Sequence, residues 1–179
     1  MQMIKLDSNN ISAIIGVSGT LLGVILGAIF NRLTRIGRLR IYQNSIEKSI
    51  MEQSSMGDFI VTDEITEKTH FVSIKLNIDF YNTSSNSVKI ARRIVFLIKH
   101  GKDSFKYELN DDDTRHSTGV MIVAQKLKNI NLSPNQVINY NLSFSTNKNF
   151  KETLNGDWFI EYRNNNDKIR RIKINKNRL

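Results

Sequence analysis

The sequence lacks cysteine and has little proline or histidine: one proline and three histidines occur among 179 residues. Without cysteine, a disulfide framework, a thiolate metal site and a cysteine nucleophile are all excluded. The histidines lie far apart, at His70, His100 and His116. Neither a glycine-rich phosphate loop nor a GxSxG nucleophile elbow occurs. These absences predict a protein that is not an enzyme and that holds no cofactor or metal.

Charge is absent from residues 11–30, which are mostly apolar. Twenty residues at about 1.5 Å each cover roughly 30 Å as a helix, the thickness of a bilayer's hydrocarbon core. A secretory signal peptide would have a basic start and a shorter apolar run, whereas only Lys5 and Asp7 carry charge before this one. The sequence therefore predicts a polar tail at 1–10 and a transmembrane helix at 11–36, with a buried soluble helix as the alternative.

Small residues gather on one side of this predicted helix, within an arc of roughly 100° at about 100° per residue. This glycine stripe consists of Ser12, Gly16, Gly19, Thr20, Gly23 and Gly27. Small side chains let two helix backbones approach closely, and the spacing is that of a GxxxG motif or glycine zipper. We therefore predict that the helix packs against another helix, with a second copy of the chain as the expected partner.

Several basic residues follow the apolar run, whereas a single lysine precedes it. The four that follow are Arg32, Arg35, Arg38 and Arg40. Because cytoplasmic flanks of membrane helices are enriched in Lys and Arg, we predict the N-terminus outside and the C-terminal domain in the cytoplasm. The same arginines are predicted to contact lipid headgroups. The opposite orientation is the alternative.

Apolar and polar residues alternate with period two in several stretches after residue 70, and polar turns separate these stretches. The clearest examples are 74–80 and 138–144. The pattern predicts an all-β domain over 71–179, an Ig-like antiparallel β-sandwich of about seven or eight strands. Residues 37–70 are predicted to hold a first strand and then an acidic loop over 45–69, with a short helix near 46–51.

Two charged clusters stand out in the predicted β domain. The acidic cluster Asp111, Asp112, Asp113 with His116 matches no EF-hand or zinc spacing, and we interpret it as a solvated turn. The C-terminal cluster holds Lys168, Arg170, Arg171, Lys173, Lys176 and Arg178. Cations on a terminal strand prevent edge-to-edge pairing, and contact with anionic lipid is the next interpretation. Nucleic-acid binding is not expected, because the nearby aromatic residues fit a strand of the core.

Together these features predict a single-pass protein of a bacterial cell membrane, with a non-enzymatic β-sandwich that binds a protein partner. Membrane lipid and a second copy of the chain are the other expected partners. One alternative is a membrane-perturbing effector, of the toxin or phage-defence type, with the β domain as its sensor or restraint. Another is an outward-facing receptor domain of the cell envelope. The sequence does not locate the surface that the protein partner would bind.

Overall fold

The computed structural model describes residues 8–34, 37–119 and 122–176, which form a long helix followed by strands. Helix α1 spans Ser8–Thr34, so it begins inside the predicted polar tail, of which residues 1–7 lie outside the described ranges. The strands are β1 Leu39–Gln53, β2 Phe59–Thr62, β3 Thr69–Asn82, β4 Lys89–His100, β5 Asp103–Glu108, β6 Asn110–Ser117, β7 Ile122–Lys126, β8 Asn129–Leu132, β9 Val137–Thr146, β10 Asp157–Arg163 and β11 Ile169–Ile174, with a short helix α2 at Phe150–Asn155.

The strands form two antiparallel sheets, which confirms the predicted Ig-like sandwich. The six-stranded sheet has the order β2-β1-β3-β9-β6-β7. The second sheet has the order β11-β10-β4-β5, and β8 pairs with the first half of β4. Within the described ranges there are eleven strands. This exceeds the predicted seven or eight strands in part because β2 and β6 come from stretches predicted to be a loop and a turn.

The core lies between the sheets and is built from alternate residues of the longest strands. β3 points Val72, Ile74, Leu76, Ile78 and Phe80 inward, and all five are buried. The aromatic rings join the two layers, because Phe96 of β4 lies 4.7 Å from Phe144 of β9 between ring centroids. Trp158 of β10 packs against Phe96 and is fully buried. Dispersion and loss of water from these apolar faces hold the sheets together.

The predicted loop over 45–69, with a short helix near 46–51, was wrong for 45–53 and 59–62, which form strands, whereas 54–58 and 63–68 connect strands. β1 continues through this stretch, paired with β3 along its length, and β2 folds back beside it. Asn44 is an extra residue in the pairing, a β-bulge that reverses which positions point inward. Ile46 and Ile50 are therefore buried although they break the alternation that starts the strand. Because the bulge shifts the alternation of apolar and polar residues by one position, the second half of β1 does not continue the period-two pattern of the first half.

The predicted turn at the acidic cluster was also wrong. Residues 110–117 form β6, and the chain changes sheets immediately before it, at the fully buried Leu109. The amide of Leu127 donates a hydrogen bond to the Leu109 carbonyl at 2.8 Å. Leu127 lies where the chain passes back from the six-stranded sheet to the second sheet. The hydrogen bond between these two buried leucines joins the two places where the chain passes from one sheet to the other. The acidic residues directly after Leu109 therefore lie at the start of β6.

Candidate functional site

Helix α1 has the length and composition of a membrane-spanning helix or a signal sequence. The window Ile15–Arg32 meets both criteria, and none of it is buried against the rest of the chain. Large apolar side chains, among them Leu22 and Phe30, are exposed along it. Such a surface is unfavourable in water and favourable in a bilayer. The described contacts of the sandwich therefore leave this helix available for lipid or for another helix.

The glycine stripe lies on an open side of α1. At Gly16, Gly19, Gly23 and Gly27 nothing outside the helix backbone lies within 4 Å of the position that a Cβ would take. The Thr20 hydroxyl donates to the Gly16 carbonyl at 2.9 Å, which satisfies the hydroxyl inside the helix. The remaining stripe residue, Ser12, is exposed. The arrangement leaves room for close approach of a second backbone.

The backbone at the start of the sandwich lies in close contact with the residues that follow β3, and we call this contact the junction. A Cβ on Gly37 would lie 2.1 Å from the Ser84 Cα, so only glycine fits there. Beside it, the Arg38 amide donates to the Thr83 hydroxyl at 2.8 Å. The Arg38 carbonyl accepts from the Thr83 amide at 3.0 Å and from its hydroxyl at 2.9 Å. These contacts fix Gly37 and Arg38 to the end of β3.

A buried asparagine organises the loop at this junction. The Asn82 side-chain amide donates to the carbonyls of Ser87, Leu132 and Ser133 at 2.8–3.0 Å. Its carbonyl oxygen accepts from the Ser84 amide at 2.9 Å. Asn82 is completely buried, so a loss of these bonds would leave polar backbone groups without water. One side chain therefore connects β3, the turn after it and β8.

A basic groove opens at the junction end of the sandwich, with a cavity volume of about 600 Å³. It is lined by Gly37, by the buried Tyr162 and by residues of the neighbouring strand ends and turns. Four cationic residues are among its lining, and no acidic residue is: Arg38, Lys89, Arg170 and Arg171. We call this cavity the junction groove. Its charge favours an anionic ligand.

One of these cations is neutralised by a carboxylate behind the groove. Glu161 is buried and accepts from Lys106 and from Arg171, each at 2.7 Å. Burial alone would raise the pKa of Glu161, but the hydrogen bonds and charges of Lys106 and Arg171 outweigh it and lower the pKa. Glu161 thus stays ionised and holds Arg171 in an ion pair beside the groove.

An apolar strand edge lies at the opposite end of the sandwich. β2 is the outermost strand of its sheet in the described part of the chain. Phe59, Ile60 and Val61 are 50%, 55% and 62% exposed, and Met56 in the preceding turn is 90% exposed. The turn closes through a hydrogen bond from the Ser54 amide to the Asp58 carbonyl at 2.7 Å. We call β2 with Met56 the β2 edge.

Residues 37–175 match the family described as the YopI Ig-like domain. The chain belongs to this family. No curated protein matches the chain. The match covers both sheets and begins at Gly37, the glycine that contacts Ser84. The fold and the family together support a β-sandwich of the kind that serves as an interaction module.

The four predicted arginines lie in different surroundings, and only Arg38 and Arg40 belong to the YopI Ig-like domain. Arg38 lines the junction groove, and Arg40 donates to the Tyr42 hydroxyl at 3.4 Å. Arg32 lies exposed near the end of α1, and Arg35 lies outside the described residues. Their predicted contact with lipid headgroups stays a prediction. Of the C-terminal cations, Arg170, Arg171 and Lys173 lie on β11, an outer strand of the second sheet. Lys168 and Lys176 flank this strand, and Arg178 lies outside the described residues.

The acidic cluster of the YopI Ig-like domain contributes to a polar network on the outer face of the six-stranded sheet. Asp112 accepts from Ser143 and Arg115, at 2.6 and 2.7 Å. Asp113 accepts from Asn141 at 2.9 Å, and Asn141 accepts from Asn77 at 2.6 Å. No group of metal-holding side chains occurs in the described ranges. The network pairs its own polar groups across strands, which stabilises the sheet.

Sequence reasoning missed the β2 edge and the junction groove. The Met56-Gly57-Asp58 stretch followed by Phe59, Ile60 and Val61 is a hairpin signal, a turn and then β-forming residues. Gly57 has a φ of +90°, which a turn glycine adopts without strain. The acidic residues around this short strand led to the prediction of a loop. The groove combines residues from four separate stretches of chain, so no local pattern indicates it.

Proposed function

We propose that this chain is a single-pass membrane protein whose YopI Ig-like domain binds an extended strand of a partner protein along the β2 edge. The observation that carries the proposal is the exposure of three consecutive apolar residues on an outer strand. An outer strand offers unpaired backbone N–H and C=O groups, and a partner strand can extend the sheet through them. The exposed side chains then supply the apolar contacts that give specificity.

The contrast with the other outer strands supports a binding role for β2. β5, β7 and β11 each contain at least one charged residue, which discourages pairing with foreign strands. β8, which pairs with β4 alone, has no charged residue, but its exposed side chains are the polar Asn129 and Asn131. β2 contains none between Phe59 and Thr62. Solvent-exposed apolar edges are unfavourable unless a partner covers them.

The charges beside β2 indicate the chemistry of the partner strand. Acidic residues flank it on both sides: Glu52, Asp58, Asp63, Glu64 and Glu67. A partner segment that alternates apolar with basic residues would complement both the side chains and the field of this edge. Such a segment needs no catalytic group on this domain, and the proposed role is therefore non-enzymatic.

The proposed anchor places the β2 edge away from the bilayer. β1 leads from the junction to the hairpin turn, and its 15 residues span about 50 Å when extended. We propose that α1 crosses the membrane with its N-terminus outside, so the domain lies in the cytoplasm. Close packing of α1 through the glycine stripe would bring several β2 edges together and raise their effective concentration for a multivalent partner.

Selection of peptides against the full chain in nanodiscs tests the proposed binding mode. The expected binders alternate apolar and basic residues and slow amide exchange along β2. Val61→Arg should weaken their binding at least about tenfold, because it places a cation among apolar side chains and against the basic residues of the binder. Val137→Arg is the matched control, since Val137 is 55% exposed on the inner strand β9. Peptides that bind the Val61→Arg variant with unchanged affinity would refute the β2 edge as the site. A library that yields no binder would refute it as well.

A further inference from the structure

We propose that a partner strand on the β2 edge presents aromatic side chains to the outer face of the six-stranded sheet and basic side chains to its inner face. This inference rests on the proposed function and deepens it, because it assigns the two kinds of partner residue to opposite faces. Its basis is a group of rings that extends from β2 to β3 on the outer face and a carboxylate on the inner face.

Three aromatic rings contact one another across the outermost strands of the six-stranded sheet. The ring centroids of Phe59 and Phe71 lie 5.3 Å apart, with an angle of 64° between the ring planes. His70 lies 5.1 Å from Phe59 and 6.0 Å from Phe71. Because Phe59 is on β2 and the other two residues are on β3, these contacts reach across β1. We call the three residues the ring cluster.

The register of the strands places the ring cluster on the outer face. Phe71 directly precedes the fully buried Val72, so it lies on the opposite face of β3. Phe71 pairs with Met51, and Met51 pairs with Val61 of β2. Phe59 lies two residues before Val61 and therefore shares its face. A strand added to β2 would place alternate side chains beside Phe59 and Val61 on this outer face.

Aromatic partner residues fit the outer face best. Phe59 is 50% exposed and Val61 is 62% exposed, so both have apolar surface left to bury. A further ring beside Phe59 would extend the edge-to-face packing that Phe59 already makes with Phe71. The β1 residues in the same two rows are Met51 and Gln53, and neither carries a charge that a partner cation could pair with.

Glu52 gives the inner face the opposite preference. Glu52 pairs with Ile60, and Thr62 on the same face of β2 pairs with the buried Ile50. One Glu52 oxygen accepts a hydrogen bond from the Thr66 hydroxyl, an uncharged partner that leaves the negative charge in place. A partner lysine or arginine opposite Ile60 would lay its methylene stem along Ile60 and bring its charged group toward Glu52.

A second copy of β2 does not meet these requirements. Pairing of two β2 strands would bring Asp58 and Asp63 of both chains to the same edge, and like charges oppose that pairing. β2 also offers no basic residue between Phe59 and Thr62 to reach the Glu52 of another copy. The occupant is therefore a strand from a different protein.

Binding of two synthetic peptides to the full chain in nanodiscs tests the outer face. One peptide alternates phenylalanine with lysine and the other alternates alanine with lysine. The phenylalanine–lysine peptide should bind about tenfold more tightly. Phe59→Ala should remove most of that preference. Ile60→Ala is the matched control, because it shortens the neighbouring apolar side chain on the inner face, and it should preserve the preference.

A third peptide, which alternates phenylalanine with glutamine, tests the inner face. Glu52→Gln should weaken binding of the phenylalanine–lysine peptide about threefold and leave the phenylalanine–glutamine peptide unaffected. Glu67→Gln makes the same charge change at an exposed position between β2 and β3 and should have a smaller effect. Thermal unfolding checks that the variants are folded. Phe59→Leu keeps an apolar side chain without the ring, so it separates loss of the ring from loosening of β2.

Three results would overturn the inference. A preference for phenylalanine that Ile60→Ala removes and Phe59→Ala preserves would reverse the two faces. A preference that neither variant changes would show that the partner does not contact the ring cluster. Equal effects of Glu52→Gln and Glu67→Gln would reflect the general field of the edge. Strand addition itself would survive these results, whereas peptides that fail to bind, or that bind without slowing amide exchange along β2, would contradict it.

Discussion

Thr83 holds the backbone of Arg38 through three hydrogen bonds, one from the Arg38 amide and two to its carbonyl. The next residue toward the helix, Gly37, lies against the Ser84 backbone. Gly37 and Arg38 are thus fixed to the end of β3. Both residues also line the junction groove, so these bonds fix part of its wall.

Replacement of Gly37 by alanine is predicted to destabilise the sandwich by about 1–3 kcal/mol, because the added Cβ overlaps backbone that cannot rotate away. Thermal unfolding of the full chain in nanodiscs measures the effect. Gly23→Ala provides the control, since nothing outside the helix backbone lies within 4 Å of its Cβ position. Equal melting of both variants would show that Gly37 and Ser84 are not in close contact.

Asn82→Ala is predicted to lower the free energy of unfolding by about 2–4 kcal/mol, since the buried Leu132 carbonyl and two part-buried carbonyls lose their donor and one buried amide loses its acceptor. Chemical denaturation gives the change in free energy of unfolding. Asn166→Ala removes an exposed amide from the β10–β11 turn and should change stability little. A mild effect of Asn82→Ala would mean that water replaces the side chain in this loop.

Glu161 should make stability depend on acid pH. Its folded pKa is lowered below the ordinary 4.5, so the carboxylate contributes stability above that pH and loses it as pH falls through the folded value. Glu161→Gln should lower the free energy of unfolding by about 1–3 kcal/mol near neutral pH. That difference should shrink below about pH 4.5, as pH-dependent denaturation can measure. A difference independent of pH would assign the effect to packing.

Gly23→Ile is predicted to weaken helix association, because a branched side chain separates the two backbones at the centre of the glycine stripe. A membrane two-hybrid assay measures this. Ser18→Ile adds the same side chain on the opposite face of α1 and should leave association intact. Dye release from vesicles by the full chain, lost in Gly23→Ile, would instead favour the membrane-perturbing alternative.

Regular strands and the apolar helix could be predicted from sequence because their signals are local. The alternation of β3 and β9 follows directly from burial of one face, and α1 from an unbroken apolar run. The bulge at Asn44 and the change of sheet at Leu109 could not be predicted from sequence, since each depends on pairing with distant strands. The junction groove and Asn82 join stretches that only the folded topology brings together.

The most direct test of the anchored cytoplasmic domain is thiol labelling, because the natural chain has no cysteine to interfere. Ser104→Cys introduces one thiol at an exposed position of β5. The full-length chain should stay in carbonate-washed bacterial membranes, and an impermeant maleimide should label it only after the cells are permeabilised. Labelling of intact cells, or a chain shortened by removal of α1, would contradict the account.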